Sequence, residues 1–196
     1  MKNIYLRIGN DGVIAVSSSK ISRKRVYELI DEKEQWIEKA LRKVAQKPSV
    51  VKGKEILYFG EVYALSSFPY SDTLAYVCQA CNTDINSYYQ NFYKKEALTY
   101  LKGRLEYFAN IMNLEPKEMR LRRMKRQWGN CRSSGVITFN IHLMQVPKEC
   151  IDYVVVHELA HMVHMNHSKA FHALVEQYLP QSGAKRTRLQ AFSASL

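Results

Sequence analysis

Histidine and glutamate side chains can hold a metal ion and move a proton, and this chain concentrates both in one place. All six histidines lie between His142 and His172, five of them in VVVHELAHMVHMNHSKAFH, Val154 to His172. His157, Glu158 and His161 form an HExxH within that stretch. On a helix, residues i and i+4 share a face one turn apart, so two imidazoles there can converge on one ion. If the ion is zinc, each nitrogen sits at roughly 2.0–2.1 Å from it. Glu158 is offset by about 100° around the helix, out of easy reach of the same ion. It is suited instead to take a proton from metal-bound water, as the general base.

The third ligand has several candidates. His164 shares the helical stripe, but seven residues from His157 correspond to about 10.5 Å of rise, too far for one ion on a straight helix. His167 ranks first, because Asn166 tolerates the left-handed conformation that ends helices and would swing the chain back. Glu176 and His172, on the following helix, are the alternatives, since a glutamate from a second helix serves other enzymes with this motif. Three protein ligands leave a fourth position for water, whose proton zinc makes easier to remove. The resulting hydroxide would attack an amide carbonyl. An extended peptide could be held by edge pairing along the strand expected at Val136 to Ile141.

The motif needs a scaffold, and the apolar pattern supplies one. The run IDYVVV before His157 should bury the motif's helix, expected from Lys148 to about Met165, with Pro147 at its start. A buried imidazole or carboxylate is costly without a partner, which argues for function over a chance HExxH. Ser168 is placed to cap a further helix, Lys169 to Leu179. Upstream, VITFNIHLM reads as a strand, WGNCRSSG as a turn-rich loop, and EMRLRRMKRQ as another strand. A long helix is expected from about Asn86, with Phe92, Leu98, Leu101, Leu105, Phe108 and Met112 at helical spacing.

Nearer the start, residues around Asn10-Asp11-Gly12 signal a hairpin. Ser22 opens a helix carrying Val26, Leu29, Ile30, Trp36, Ile37, Ala40, Leu41 and Val44. ILYFGEVYALSS suggests a second hairpin turning near Gly60, and TLAYVCQA a further strand. The expected organisation is an α+β protein. Residues 1–84 form a β-rich region with one helix, 85–180 the catalytic core, and 181–196 a loosely attached tail.

Composition bounds the rest. Hydrophobic content of 46% and charged content of 24% are those of an ordinary globular protein. No apolar run approaches a membrane span, and MKNIYLRIGNDG lacks a secretory apolar core, so the cytoplasm is expected. Four cysteines fit a reduced compartment. Cys78 and Cys81 form a lone CxxC without the second pair that a structural zinc ribbon needs. Cys131 could in principle be a nucleophile, but HExxH already accounts for the histidines. The net charge of +11 gathers at KISRKR and KEMRLRRMKR, which would allow weak electrostatic contact with DNA or RNA.

The segment RRMKRQWGNCRSSGVITFNIHLMQVPKECIDYVVVHELAHMVHMNHSKAFHALVEQYLP resembles the YgjP-like metallopeptidase family, which has relatives among the SprT-like proteases. DGVIAVSS, EKEQWIEKAL and YFGEVYAL resemble that family's leading region, so the likeness covers most of the chain. It implies a zincin-like minimal metalloprotease domain at 85–180, with Zn2+ held by His157, His161 and His167 and with Glu158 as general base. Two positions depart from the pattern. Gln127 stands where the family usually has Arg before the tryptophan, and His172 where it usually has Trp after the phenylalanine. Asn140 and His142 are expected to have structural roles. The expected partner is a peptide or protein substrate. The competing reading is a metal-stabilised, non-catalytic module that binds protein or nucleic acid; a closed structural zinc site needs no base, so Glu158 separates the two.

Overall fold

One helix apolar on nearly every side fixes where the core around it lies. In the computed structural model, which describes residues 4–8, 13–17, 22–45, 48, 50–69 and 85–192, the IDYVVV run buries Ile151, Tyr153, Val154, Val155 and Val156. Such a helix must be surrounded by other elements. The chain divides into two compact units, Met1–Lys47 with Ala191–Ser195, and Pro48–Gln190 with Leu196.

In the first unit, β1 (Tyr5–Ile8) pairs antiparallel with β2 (Ile14–Ser17), Ile8 opposite Ile14. The turn residues Asn10 to Gly12 lie outside the described residues. Ser22 caps α1 (Arg23–Glu32), its side chain accepting from the Arg25 N–H at 3.2 Å. The single helix expected here is two: α2 (Glu34–Ala45) follows after a break at Lys33, whose φ is −110°. The break falls where the apolar stripe lapses, because the positions one turn after Leu29 and Ile30 are Lys33 and Glu34.

The second unit opens with the hairpin β3 (Glu55–Tyr58) and β4 (Glu61–Ala64). Its two-residue turn, Phe59 and Gly60, has φ of 49° and 87°, the left-handed pair that matches strand twist. A side chain at Gly60 would collide with the Pro147 ring at 2.7 Å. Helix α3 (Ile85–Met112) supports the hairpin. Tyr89 and Tyr93, one turn apart, donate to the Glu55 and Leu57 carbonyls, both at 2.8 Å. The match is geometric: four helical residues rise about 6 Å and two strand residues about 6.6 Å. The CxxC and the strand expected at TLAYVCQA lie outside the described residues.

The core sheet contains β5 (Glu118–Arg122), β6 (Gly129–Cys131) and β7 (Val136–Asn140), in the order β5-β7-β6. β7 is parallel to β5 and antiparallel to β6, and all five of its residues are buried. Both its edges are therefore occupied, and the edge pairing with a peptide expected along Val136 to Ile141 is not open to it. The WGNC segment, expected as loop, contributes strand β6. Gly and Asn have little strand preference of their own, and pairing with β7 overrides it. After a 3₁₀ turn at Ile141–Gln145 come α4 (Lys148–Ala160), α5 (Lys169–Tyr178) and α6 (Ser182–Phe192). The residues expected as a loose tail thus form α6 through Phe192. Arg104 of α3 and Asp152 of α4 form a half-buried ion pair at 2.7 Å that fastens the two helices. The architecture is mixed α+β. No described helix is long and apolar enough to cross a membrane.

Candidate metal centre

Helix α4 ends where the motif ends. Pro147 occupies the cap position, one residue before the helix, and His161 is the last cap, with φ −67° and ψ −17°. The helix expected to reach Met165 stops at Ala160. Met162 and Val163 bond back to Leu159 and Ala160 in a tightened turn. The turn comes from this tightening, not from Asn166, which has no positive φ. The chain then returns, and Ser168 caps α5 by accepting from the Phe171 N–H at 3.3 Å.

The return brings His167 beside the motif. Ring nitrogens of His157, His161 and His167 all lie within 4.8 Å of one another. The Nε2 atoms of His157 and His167 are 3.1 Å apart. Two ligands of one tetrahedral zinc would be separated by about 3.3 Å, given Zn–N near 2.05 Å. The donor set, three imidazoles, suits zinc. Burial, then the neighbouring imidazoles, push the His157 pKa down to about 3, and burial lowers that of His167. Both are thus neutral near pH 7, the form that ligates metal.

Each ring of the HExxH pair is oriented from behind. His161 Nδ1 lies 3.0 Å from the His164 carbonyl and can only donate to it, which frees Nε2 for an ion. His157 Nδ1 lies 3.4 Å from the Tyr153 hydroxyl. Phe171, 0% exposed, packs its ring against all three imidazoles at centroid distances of 4.6 to 4.9 Å. Tyr153 is the residue that sequence reasoning missed, although its i, i+4 spacing from His157 carries the signal.

The alternative ligands lie elsewhere. Glu176 spends its carboxylate on the start of α6, accepting from the Gln181 and Ser182 amides at 2.7 and 3.0 Å and from the Ser182 hydroxyl at 2.6 Å. His172 is exposed and stacks on His167, centroids 6.2 Å apart. It thus fills the role of a flat ring where the related pattern has Trp. His164 contributes its carbonyl only.

Glu158, next in sequence to His157, is not a member of the cluster and is only 5% exposed. Burial raises its pKa to about 8, opposed by a hydrogen bond from the Cys131 backbone. Its neighbour is Gly129 of β6: a methyl group there would stand 2.5 Å from Oε1 and 2.7 Å from Cγ of Glu158. Only glycine lets the strand approach so closely. Gly129→Ala is therefore expected to cost ~1–3 kcal/mol, as overpacking does, read from denaturant unfolding. A variant as stable as the parent contradicts the contact.

The strand is held by Asn140, which is fully buried. Its amide donates to the Met124 and Gln127 carbonyls, both at 2.8 Å, and its oxygen accepts from the Met124 and His142 amides. Gln127, the other departure from the pattern, has an exposed side chain and is held through its main chain. Cys131 is buried and its thiol is pushed up to about 11, chiefly by burial. That protonated thiol is no nucleophile at neutral pH.

A family model described as YgjP-like, metallopeptidase domain, matches residues 2–192. Among solved structures, the crystal structure of the metallopeptidase zymogen of Pyrococcus abyssi abylysin is similar at 24% identity, with a TM-score of 0.42. The alignment covers 45% of this chain and 90% of that one. No curated protein matches. The family match and the mixed α+β architecture fit a zincin-like domain.

Proposed function

The chain belongs to the YgjP-like metallopeptidase family, and on that premise we propose that it hydrolyses peptide bonds with Zn2+ held by His157, His161 and His167 and with Glu158 as general base. The observation that carries this reading is the cluster of three imidazoles beside a buried carboxylate that takes no part in it. A purely structural zinc site has no use for such a carboxylate.

When bound, the ion would supply Lewis acidity, polarising the scissile carbonyl and easing the ionisation of water. The chain's own residues do the rest. Tyr153 and the His164 carbonyl hold the two motif imidazoles in orientation, and Phe171 backs all three rings. Glu158 accepts the proton at a carboxylate oxygen and can return it to the leaving amine. A bound divalent cation nearby would favour the ionised form of this carboxyl, the form that accepts a proton. The Cys131 backbone bond keeps that carboxylate aimed.

Elemental analysis of the purified protein should find about one zinc per chain on this three-ligand reading. An unbiased peptide library should be cut, chelation should stop the cutting, and added zinc should restore it. A metal-replete protein that cuts nothing in the library refutes the peptidase reading.

A further inference from the structure

We propose that the face of the core sheet turned away from α4 binds single-stranded nucleic acid. The inference goes beyond the peptidase reading and does not depend on it, because it concerns the side of the sheet opposite Glu158.

Strand register assigns the two faces. A Cβ on Gly129 would touch Glu158, so Gly129 faces α4, and by alternation Cys131 does too, with Ile137 and Phe139 opposite them on β7. The residues between take the other face. Arg120 stands opposite Thr138, and Thr138 opposite Asn130. In the next row Arg122 stands opposite Asn140, whose N–H donates to the Trp128 carbonyl at 2.9 Å. At the far end the Arg132 N–H donates to the Val136 carbonyl at 3.0 Å, which puts Arg132 in the Val136 row. The Asn140 side chain belongs to this same face, and its two 2.8 Å bonds draw the 124–127 bend onto it. Lys125 and Arg126 on that bend are exposed.

These placements make a basic trough. Its floor is Val136 and Thr138, short side chains each 8% exposed. Its walls stand two strand spacings apart, about 9.6 Å. Arg120 and Arg122 form one; Trp128, Asn130 and Arg132 form the other. The arginines and Asn130 are exposed and Trp128 is half-buried. The charge is of one sign. Glu118, the acidic residue in these rows, is held by Arg120 through bonds of 2.8 and 2.7 Å, and residues 119–148 contain no Asp or Glu. No salt bridge among the described residues engages Arg122, Lys125, Arg126 or Arg132. In the chain's other basic run, by contrast, Arg25 is taken by Glu28 and Glu32. Cations along both walls, about 6.8 Å apart for residues i and i+2, suit a polymer with a charge on every unit better than a lone carboxylate. A basic trough that tracks one backbone, with an aromatic ring on the same face for unpaired bases, is how proteins hold single strands.

The test measures fluorescence anisotropy of a dye-labelled, mixed-sequence DNA strand of about 20 nucleotides against the full-length, zinc-loaded protein. The strand should bind, and a fourfold rise in salt should weaken binding about 50-fold if roughly four phosphates are held, at a slope near −0.7 per phosphate. Arg122→Gln, Arg126→Gln and Arg132→Gln together should raise Kd by ~10-fold or more. The same three positions changed to Lys should stay within a few fold of the parent, because phosphate contacts need the charge. Arg23→Gln, Lys24→Gln and Lys39→Gln, which remove an equal charge from α1 and α2, should do the same. Zinc content and melting temperature are read on every variant to show that it is folded. Absent or salt-insensitive binding overturns the proposal, as does equal weakening by the two Gln triples. Duplex DNA or poly-glutamate of matched charge bound as tightly as the single strand also overturns it. Peptide cutting by the parent is assayed separately, so its failure leaves this result standing.

Discussion

Glu158→Gln is expected to slow peptide hydrolysis by ~10²- to 10⁴-fold, the range a positioned general base supplies, while zinc content stays at the parent value. Glutamine has nearly the same shape and still fits against Gly129, but it cannot accept the proton. The metal is retained because Glu158 is no member of the histidine cluster. Parent-like turnover by the zinc-loaded variant would remove Glu158 from the chemistry. The same substitution has a signature in metal-free protein. The folded state holds the Glu158 pKa up at about 8, against 4.5 for the free side chain. A carboxyl group raised in this way favours the folded state while protonated, and that contribution is lost as pH climbs from 4.5 through 8. Between pH 6.5 and 8 the parent should lose roughly 1.5 kcal/mol of stability relative to Glu158→Gln. Parallel stability curves for the two proteins over that interval rule out the buried, uncharged carboxyl.

His167→Ala carries the second large effect. Partners behind a ligand typically cost 10–100-fold in metal affinity when removed, so loss of a ligand itself should exceed ~10²-fold. A competition titration with a chelating dye measures it. His172→Ala and Glu176→Ala are the comparisons. His172 only stacks on His167, and its loss should leave the affinity within a few fold. Glu176→Ala should instead release the first turn of α6 and lower the melting temperature, as the loss of a helix cap does. If Glu176→Ala drops zinc as far as His167→Ala does, the ligand set is misassigned.

Much of the scaffold follows from local rules. Ser22 and Ser168 cap helices at the positions their types suggest, because a hydroxyl oxygen there meets an otherwise unpaired amide. Gly60 marks the hairpin turn through its need for a positive φ. The i, i+4 spacing of His157 and His161 is sufficient to expect a shared ion. What escapes local rules depends on distant partners. Nothing in WGNC announces a strand; β7 makes it one. No periodicity ties Gly129 to Glu158, which meet only once the sheet lies against α4. The end of α4 is equally illegible, since HMVHM continues the helical pattern while the chain closes its turn at Leu159 and Ala160. The tail's apolar residues are sparse, yet α6 forms because Glu176 caps its start and α4 offers Glu149 and Cys150 to grip it.

The Asn140 clamp has a consequence for how such a scaffold diversifies. It grips the 124–127 bend through main-chain atoms alone, so the identities of Lys125, Arg126 and Gln127, all pointing to solvent, are uncoupled from folding. Evolution, or a protein engineer randomising those three codons, can retune the charge of this bend while the Asn140 amide keeps the frame in register.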